Sequence, residues 1–377
     1  MIYLDNAATT KPSEAAINAF LKACGDFGNP SSLHGLGLDA EKTVTAAREK
    51  IAAKLGVNAK NIYFTSGGTE SNNLAILGYC RANAKRAKHI ITTRVEHPSI
   101  LAPFEQLKNE GFSADYLGVD RLGRISLDEL EALLSEDTLL VSVMAANNEV
   151  GTIMPIDKIK PIMKKKAPNA VLHVDAVQAF GKIDLKPEHW GIDMMSLSSH
   201  KIHGIKGSGA LYTATERITP IAFGGGQQKG LRSGTENVPG IAAFGAAAEE
   251  TDTDNGKMLE CRMKFKNMIA ERLDRVSFNG SDEHQTGYVL NASFDGIKAE
   301  VLLHMLEAKG IYVSTGSACS SNKPMPSHVL TAMGCGKKQI DGAVRMSFSD
   351  VLSDDEIETA ANAIAESVTE MRKYTRR

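Results

Sequence analysis

The sequence predicts an α/β protein with a mostly parallel central sheet and a second, smaller α+β domain. Between about residues 60 and 212, short β-branched runs alternate with longer helical patterns, as in βαβ units. Past Ala248 this alternation gives way to a charged helical stretch and further strand-like runs, and 377 residues are enough for two domains. We predict a large domain over residues 15–254 and a small domain formed by residues 1–14 and 255–377.

The composition argues against several classes of function. The 43 basic and 45 acidic residues nearly balance, so neither a nucleic acid nor a membrane surface is an expected partner. The amino terminus has no signal-peptide pattern and no stretch is long and apolar enough to span a bilayer, so we expect a cytoplasmic protein. The five cysteines lack the spacing of a disulfide framework or of a zinc site, so we expect no metal.

Short runs, several of them rich in β-branched residues, mark the strands of the predicted central sheet. They are Asn61–Thr65, His89–Thr93, Leu139–Met144, Val171–Val174, Met194–Ser198 and Gly209–Tyr212. The first five lead into polar or small residues, in the segments SGGTES, RVEHPS, NNEVG, DAVQ and SHKIHG. Open α/β sheets bind ligands outside the carboxyl ends of their strands, so we expect these segments to converge on one crevice.

The predicted small domain has its own helix and strand patterns. A helical stretch, Gly256–Val276, comes first, and strand-like runs follow at Tyr288–Phe294, Ile311–Ser314 and Ala343–Ser349. In the last run apolar and polar residues alternate, which predicts a half-buried strand whose polar face looks into a cleft. A capping box formed by Ser353 and Glu356 predicts the start of a closing helix.

A glycine turn after the first predicted strand suits an anion. In Phe64–Glu70 a strand end leads through Gly67 and Gly68 into a helix, so free backbone N–H groups and the positive end of the helix dipole point at one spot. Taken alone, the stretch is explained equally well as a tight turn with Thr69 as the helix N-cap. Its glycines do not have the spacing of a mononucleotide-binding or a dinucleotide-binding loop. The glycines of Gly224–Gly226 do not have the dinucleotide-binding spacing either.

Three ionisable residues follow other predicted strands. Desolvation at the mouth of a crevice disfavours the ammonium form of a lysine, so Lys201 is a candidate to form an imine with a carbonyl compound. Taken singly, each residue also has an ordinary structural explanation. Lys201 could be a surface lysine, Asp175 could be the N-cap of a loop, and His97 could be a hydrogen-bonded structural histidine. Together, a helix N-terminus, a carboxylate, an imine-forming lysine and a stacking ring are the parts that a pyridoxal-phosphate site requires.

Ordered motifs over nearly the whole chain carry a family resemblance. They are YLDNAATT, FGNPSS, FTSGGTES, VEHPS, NNEVG, HVDAVQ, SSHKIHG, RSGTEN, STGSACSS and VRMSFS. With them the sequence resembles the cysteine desulfurases of the NifS/IscS type, pyridoxal-phosphate enzymes of fold type I in the class-V aminotransferase group. The resemblance implies conversion of L-cysteine to L-alanine. The sulfur would pass to an enzyme cysteine and then to an acceptor protein, for iron–sulfur cluster assembly or tRNA thiolation.

The resemblance implies a role for each residue that matches a motif. Lys201 would bind the cofactor covalently, Asp175 would bind its pyridine nitrogen, and His97 would stack on its ring and move protons. The other matched residues are Gly68, Thr69, Ser198 and His200 for the phosphate, Asn148 and Gln178 for the hydroxyl side of the ring, Thr235 for the phosphate of a neighbouring subunit, and Arg345 and Asn29 for the substrate carboxylate. The role of Thr235 implies a homodimer.

The stretch STGSACSS implies that Cys319 is the catalytic nucleophile. We expect its small neighbours to let the thiol enter the cleft, attack the substrate sulfur and leave with it. By contrast, Cys24 and Cys80 lie in helical patterns beside apolar residues, so both are predicted to be small buried hydrophobes.

Other functions are compatible with parts of this pattern. A selenocysteine lyase or an aminotransferase would use the same fold, although a transaminase has no need of the Cys319 thiol. A persulfide carrier without cofactor chemistry is the alternative from another class, and the combination of Lys201, Asp175 and His97 argues against it.

The sequence departs from the family pattern at a few positions. Ser199 stands where a glycine is usual, Ile205 where a proline is often found, and Gln228-Lys229 where relatives often have Glu-Arg. The chain also ends at Arg377, soon after its last predicted helix, so we expect no tail for docking a scaffold protein.

Overall fold

The computed structural model describes residues 1–315, 326–349 and 352–374, which form three β-sheets with helices packed against them. The strands are β1 Ile2–Tyr3, β2 Ile62–Thr65, β3 His89–Thr93, β4 Ser113–Leu117, β5 Thr138–Met144, β6 Val171–Asp175, β7 Met194–Ser198, β8 Gly209–Thr213, β9 Val276–Asn279, β10 Val289–Phe294, β11 Ile311–Tyr312, β12 Ser314–Thr315 and β13 Ala343–Ser347.

The helices alternate with these strands along the chain. They are α1 Glu14–Gly25, α2 Gly35–Leu55, α3 Gly68–Asn73, α4 Tyr79–Asn83, α5 Pro98–Asn109, α6 Leu127–Leu133, α7 Ile156–Lys166, α8 Pro187–Trp190, α9 Val238–Glu250, α10 Gly256–Arg272, α11 Ala299–Ala308, α12 His328–Ala332, α13 Lys337–Asp341 and α14 Asp354–Tyr374. A π-helical turn, Leu74–Gly78, joins α3 to α4, and 3₁₀ turns occupy Ala59–Asn61, Ser199–Lys201 and Gln228–Gly230.

The central sheet has seven strands in the order β2-β8-β7-β6-β5-β3-β4. Strand β8 is antiparallel to both of its neighbours, and the other six strands all run in one direction. This confirms the mostly parallel α/β sheet, and each of the six predicted strands agrees with the structure to within one residue at either end.

Strand β4, Ser113–Leu117, is missing from the sequence prediction. It lies at the edge of the central sheet, and four of its five residues are exposed or only partly buried. An edge strand does not need apolar side chains on both faces, so the sequence SADYL has no strong strand pattern.

Helices cover both faces of the central sheet. On one face Val44 of α2, Ile159 of α7 and Phe244 of α9 pack against the strands. On the other face Tyr79 of α4 and Phe104 of α5 form a separate apolar core. With both faces covered, central strands such as β5 are buried along their whole length, which explains their continuous apolar sequences.

The remaining strands belong to a four-stranded antiparallel sheet, in the order β12-β13-β10-β9, and to a parallel pair, β1-β11. A third core lies here, with residues from α10, α11 and α14, and it includes Ile2 and Leu4 from the amino terminus. This core and the pairing of β1 with β11 support our proposal that residues 1–14 and 255–377 form the small domain. The capping box is confirmed, since Glu356 N–H donates to Ser353 Oγ at 3.2 Å and Ser353 N–H donates to Glu356 Oε2 at 2.9 Å.

Three local predictions are wrong. The run Ile311–Ser314 divides between two sheets, because β11 pairs with β1 whereas β12 pairs with β13. Strand β13 is buried on both faces, since the amino-terminal segment covers its polar side: Ser347 Oγ accepts from Ala7 N–H at 2.8 Å. Cys80 is buried as predicted but Cys24 is exposed, because helix α1 turns Ala16 and Ala23 toward the core and Cys24 away from it.

Among the described residues, the structure has no helix with the length and apolar character needed to cross a membrane.

Candidate functional site

The predicted site residues follow strands that end at the same edge of the central sheet. Gly68 comes after β2, His97 after β3 and Asn148 after β5, while Asp175 ends β6 and Lys201 lies in the 3₁₀ turn after β7. Because these five strands run in one direction, their carboxyl ends share one edge. The sheet therefore places the polar segments that the sequence singled out beside one another.

Asp175 is a buried carboxylate, 5% exposed, at the centre of this edge. Its Oδ2 accepts a hydrogen bond from Asn72 Nδ2 at 2.9 Å, and its Oδ1 accepts one from Val177 N–H at 2.9 Å. The donor groups hold the carboxylate in one orientation. A fixed acceptor of this kind suits the protonated nitrogen of a pyridine ring.

His97 is the N-cap of α5, which Pro98 starts at a position that needs no N–H. Its Nδ1 accepts from Ser99 N–H at 3.1 Å and lies 2.8 Å from Ser99 Oγ. Burial lowers the pKa of His97, and Lys201 and His328 lower it further, whereas Asp175 opposes them. The helix start thus holds the ring, and its surroundings favour the neutral form.

The amino-terminal segment contributes backbone groups that the sequence did not reveal as part of the site. Lys201 Nζ donates to the carbonyl oxygens of Ala7 and Ala8, both at 2.7 Å. Gln178 Nε2 also donates to Ala7 O, at 2.8 Å. His200 Nδ1 lies 3.1 Å from Thr9 Oγ1. The segment therefore contacts Lys201, Gln178 and His200, and two of its carbonyl oxygens accept from Lys201 Nζ.

The start of α3 is open to a small anion. Among the described residues no side chain caps this helix, and Thr69, which is exposed within the first turn, is not the N-cap. A β-carbon at Gly68 would lie 2.6 Å from Val177 Cγ2, so any larger residue there would require Val177 to move. Burial, and then Lys201, Lys206 and Lys182, lower the pKa of nearby His200 to about 4.

Arg345 is a buried guanidinium, 5% exposed, on β13. One terminal nitrogen donates to Asp5 Oδ1 at 2.8 Å and the other donates to Asn148 O at 3.1 Å. Its Nε is buried and has no hydrogen-bond partner among the described residues. Arg345 thus connects the small-domain sheet to the Asn148 segment.

Lys182 is a second lysine close to this edge, and no sequence motif singled it out. Its side chain is buried, with Nζ 3.3 Å from Gln178 Oε1 and 5.3 Å from the ring centre of Tyr288. Burial and, less strongly, Lys201 lower its pKa to about 7. Lys182 fixes the carboxamide of Gln178, because Oε1 faces the lysine while Nε2 faces Ala7 O.

The residues fit pyridoxal phosphate. The structure provides an amine at Lys201, a held carboxylate at Asp175, an imidazole at His97 and a helix start at Gly68 that a β-carbon would block. These are the groups needed for the aldehyde, the ring nitrogen, the ring face and the phosphate.

Other predicted residues lie elsewhere or outside the described part of the chain. Asn29 and Thr235 are on exposed segments, and Asn29 Oδ1 accepts from Ser31 N–H at 3.0 Å. Cys319, the predicted nucleophile, lies outside the described residues.

Two of the residues that depart from the family pattern, Ser199 and Lys229, make defined contacts. Ser199 is fully buried, its N–H donates to Ser208 O and its carbonyl accepts from Ile202 and Gly204, so the turn around Lys201 forms with serine. Lys229 donates to Lys60 O at 2.9 Å and lies over the Tyr63 ring.

Three comparisons identify the family. The aminotransferase class-V family model matches residues 2–359. The protein is 42% identical to the putative cysteine desulfurase IscS 1 of Bacillus subtilis (strain 168), over 97% of this chain and 98% of the relative. A solved NifS-like protein superimposes with a TM-score of 0.92 and 38% identity, over 98% and 99% of the two chains.

A further solved structure, SspA in complex with cysteine, has a TM-score of 0.83 and 32% identity, and the match covers 92% of this chain and 99% of that one. The protein therefore belongs to the class-V aminotransferases, among the pyridoxal-phosphate-dependent cysteine desulfurases of the NifS/IscS type.

Proposed function

We propose that this protein converts L-cysteine to L-alanine with pyridoxal phosphate, and that the sulfur passes to Cys319. The observation that carries the proposal is the placement of Lys201, Asp175 and His97 at one sheet edge. The relatives favour desulfuration over the selenocysteine lyase, aminotransferase and persulfide-carrier alternatives, since they are described as cysteine desulfurases and one solved neighbour contains cysteine.

The chain's own residues have separate tasks in this proposal. The bound cofactor supplies an electron sink that allows the bonds around the α-carbon and then the Cβ–S bond to break. Asp175 holds the ring nitrogen, Gly68, Thr69, Ser198 and His200 hold the phosphate, and Asn148 and Gln178 hold the hydroxyl side. Lys201 binds the cofactor and carries protons to and from the substrate.

Arg345 binds the substrate carboxylate in the proposal, with Asn29 as a second contact. A guanidinium can donate two parallel hydrogen bonds to a carboxylate, and the buried Nε of Arg345 has no partner among the described residues. Asp5 and the Asn148 carbonyl hold the two terminal nitrogens, so the group is fixed before substrate arrives.

The proposed sulfur transfer balances without an added oxidant. The Cys319 thiolate attacks the substrate sulfur, a sulfur–sulfur bond forms and the Cβ–S bond breaks. The electron pair of that bond stays with the β-carbon, which takes a proton and becomes the methyl group of alanine. The product is a persulfide on Cys319, ready for a second thiol to take the sulfur.

A homodimer is part of the proposal. Large apolar side chains are exposed near Asn29, including Phe27 at 79% and Leu33 at 95%, and Phe223 is 81% exposed. Exposed apolar residues of this size mark protein interfaces. Thr235 would then contact the phosphate of the partner subunit.

The sulfur acceptor is proposed to be another protein, serving iron–sulfur cluster assembly or tRNA thiolation, and the protein is proposed to act in the cytoplasm. The similarity to proteins described as IscS and NifS-like supports this assignment.

The test is release of alanine and sulfide from L-cysteine by the purified holoenzyme, with and without a reductant. Wild type should form both products, and Cys319→Ser should form almost none while keeping the visible absorption of bound cofactor. Cys24→Ser is the matched control, because Cys24 is an exposed thiol, and it should behave as wild type. Full turnover by Cys319→Ser, or a colourless protein that ignores added cofactor, would refute the proposal.

A further inference from the structure

The ring of His97 is connected to Asp175 through two residues to which the sequence assigned no role. Asn72 Nδ2 donates to Asp175 Oδ2 and to Ser99 Oγ, both at 2.9 Å. Ser99 Oγ lies 2.8 Å from His97 Nδ1. Asn72 and Ser99 are 1% and 7% exposed, so water has little access to this chain of hydrogen bonds.

The direction of each hydrogen bond can be assigned from the groups involved. A backbone N–H only donates, so Ser99 N–H, 3.1 Å from His97 Nδ1, requires an unprotonated Nδ1. The Ser99 hydroxyl accepts from Asn72 and is left with its own hydrogen, which it can donate to Nδ1. A neutral imidazole has one N–H, so the proton of His97 must be on Nε2.

The carboxamide of Asn72 is oriented by the same reasoning. Its nitrogen faces the carboxylate of Asp175, because an amide oxygen there would oppose another acceptor. Its Oδ1 is buried without a hydrogen-bond partner among the described residues. A buried oxygen without a hydrogen-bond partner destabilises the fold, so this orientation of Asn72 keeps the two hydrogen bonds of Nδ2 and leaves Oδ1 unsatisfied.

We propose that Ser99 and Asn72 are positioning residues that hold His97 neutral, with its proton on Nε2, and connect it to Asp175. This rests on the proposed function and refines it. In this state His97 cannot take a proton at Nδ1 without losing the Ser99 N–H bond, and Nε2 already has one. His97 therefore acts as a stacking ring and hydrogen-bond donor, and Lys201 is the base.

The charged groups around His97 act on its titration. Asp175 on β6 favours the imidazolium, whereas Lys201 after β7 and His328 on α12 disfavour it. Glu96, the preceding residue, is fully buried, and burial raises its pKa to about 8, which favours its protonated form at neutral pH. These groups stay in place when Ser99 is changed, so a change in the titration of His97 would be due to loss of the Ser99 hydroxyl.

The test uses the full-length holoenzyme with ¹⁵N-labelled histidine rings, and the signals of His97 are identified by their loss in His97→Gln. Wild type should show an unprotonated Nδ1 and a protonated Nε2 at neutral pH. In Ser99→Ala the backbone N–H remains, so the tautomer should persist, but the midpoint for proton uptake should move to higher pH. Ser99→Thr keeps the hydroxyl and should titrate as wild type.

Asn72→Ala tests the second link. If the two residues act as one chain, the Ser99→Ala/Asn72→Ala double variant should shift the midpoint no further than the larger single shift. A protonated Nδ1 in wild type, an unshifted Ser99→Ala or additive shifts would overturn the proposal. The ring signals do not depend on turnover, so failure of desulfuration with this tautomer intact would count against the proposed function alone.

Discussion

Arg345 and Asp5 form an ion pair between a buried guanidinium and the amino-terminal segment, with 2.8 Å from the terminal nitrogen to Oδ1. Arg345 lies on strand β13, and Asp5 forms an isolated parallel β-bridge with Ser347 of the same strand. The pair therefore fixes the proposed carboxylate-binding group through two segments that are 340 residues apart in sequence.

Replacing Arg345 by lysine should weaken substrate use. Lysine keeps a charge but cannot make two parallel hydrogen bonds to a carboxylate, so kcat/KM for L-cysteine should fall about 10- to 100-fold. Steady-state alanine release measures this. Arg275→Lys is the control, since that side chain is 43% exposed and pairs with a surface Asp274. Equal kcat/KM values for the two variants would contradict the role of Arg345.

Replacing Lys182 by methionine should stabilise the fold in a pH-dependent way. Burial lowers the pKa of Lys182 from 10.5 to about 7, so between these values the unfolded chain binds more protons than the folded one. The cost of burying this lysine is then full below about pH 7 and vanishes as the pH rises toward 10.5.

Lys182→Met removes that cost. Stability near neutral pH should rise by about 1–4 kcal/mol, and the gain should shrink at alkaline pH. Urea unfolding at several pH values measures both. Lys186→Met is the control, because Lys186 is 56% exposed and should show neither effect. A Lys182→Met variant that is less stable at every pH would show that contacts with Gln178 and Tyr288 outweigh the buried charge.

Replacing Ser327 by alanine should destabilise the fold more than the loss of an ordinary helix cap does. Ser327 Oγ caps α12 by accepting from Leu330 N–H at 3.1 Å, and it also donates to Glu149 Oε2 at 2.5 Å. Glu149 is 4% exposed, and burial raises its pKa while Ser327 opposes that rise. Loss of the hydroxyl should therefore remove both a helix cap and the hydrogen-bond partner of a buried carboxyl group. The free energy of unfolding should fall by about 2–4 kcal/mol in total.

Ser126→Ala is the matched control. Ser126 caps α6 by accepting from Glu129 N–H at 3.2 Å, but it lies on the surface. Its loss should cost about 1 kcal/mol. If urea unfolding gave comparable losses of stability for the two variants, the Glu149 contact would contribute no stability.

Mixing two inactive variants should restore activity if Thr235 acts across a dimer. Lys201→Ala removes the proposed base of its own subunit, and Thr235→Ala removes the proposed phosphate contact to the other. A mixed dimer has one site with both residues intact, provided that Thr235 belongs to the partner's site. Alanine release should appear after the subunits are exchanged. No recovery, with exchange verified by mass spectrometry, would contradict a role of Thr235 at the partner's site.

The strands and the polar segments after them could be predicted because their signals are local. Residues 89–93 include β-branched Ile and Thr, and residues 194–198 are mostly apolar, and the two runs lead directly into RVEHPS and SHKIHG respectively. Strand β4 escaped prediction since an edge strand has a weaker pattern.

Contacts between distant segments could not be predicted in this way. The approach of Ala7 to Lys201, of Asp5 to Arg345 and of Ser327 to Glu149 depends on how the amino terminus and the small domain pack on the large one. Neither periodicity nor spacing records such packing.

The sequence by itself determined the α/β fold, the family and the candidates Lys201, Asp175 and His97, because strand patterns and motifs are properties of contiguous residues. Only the tertiary structure decided which backbone groups surround Lys201, that β13 is buried on both faces, and that Asn72 and Ser99 join His97 to Asp175. The physical reason is that hydrogen-bond partners and burial are set by residues brought together in space, often more than a hundred positions apart.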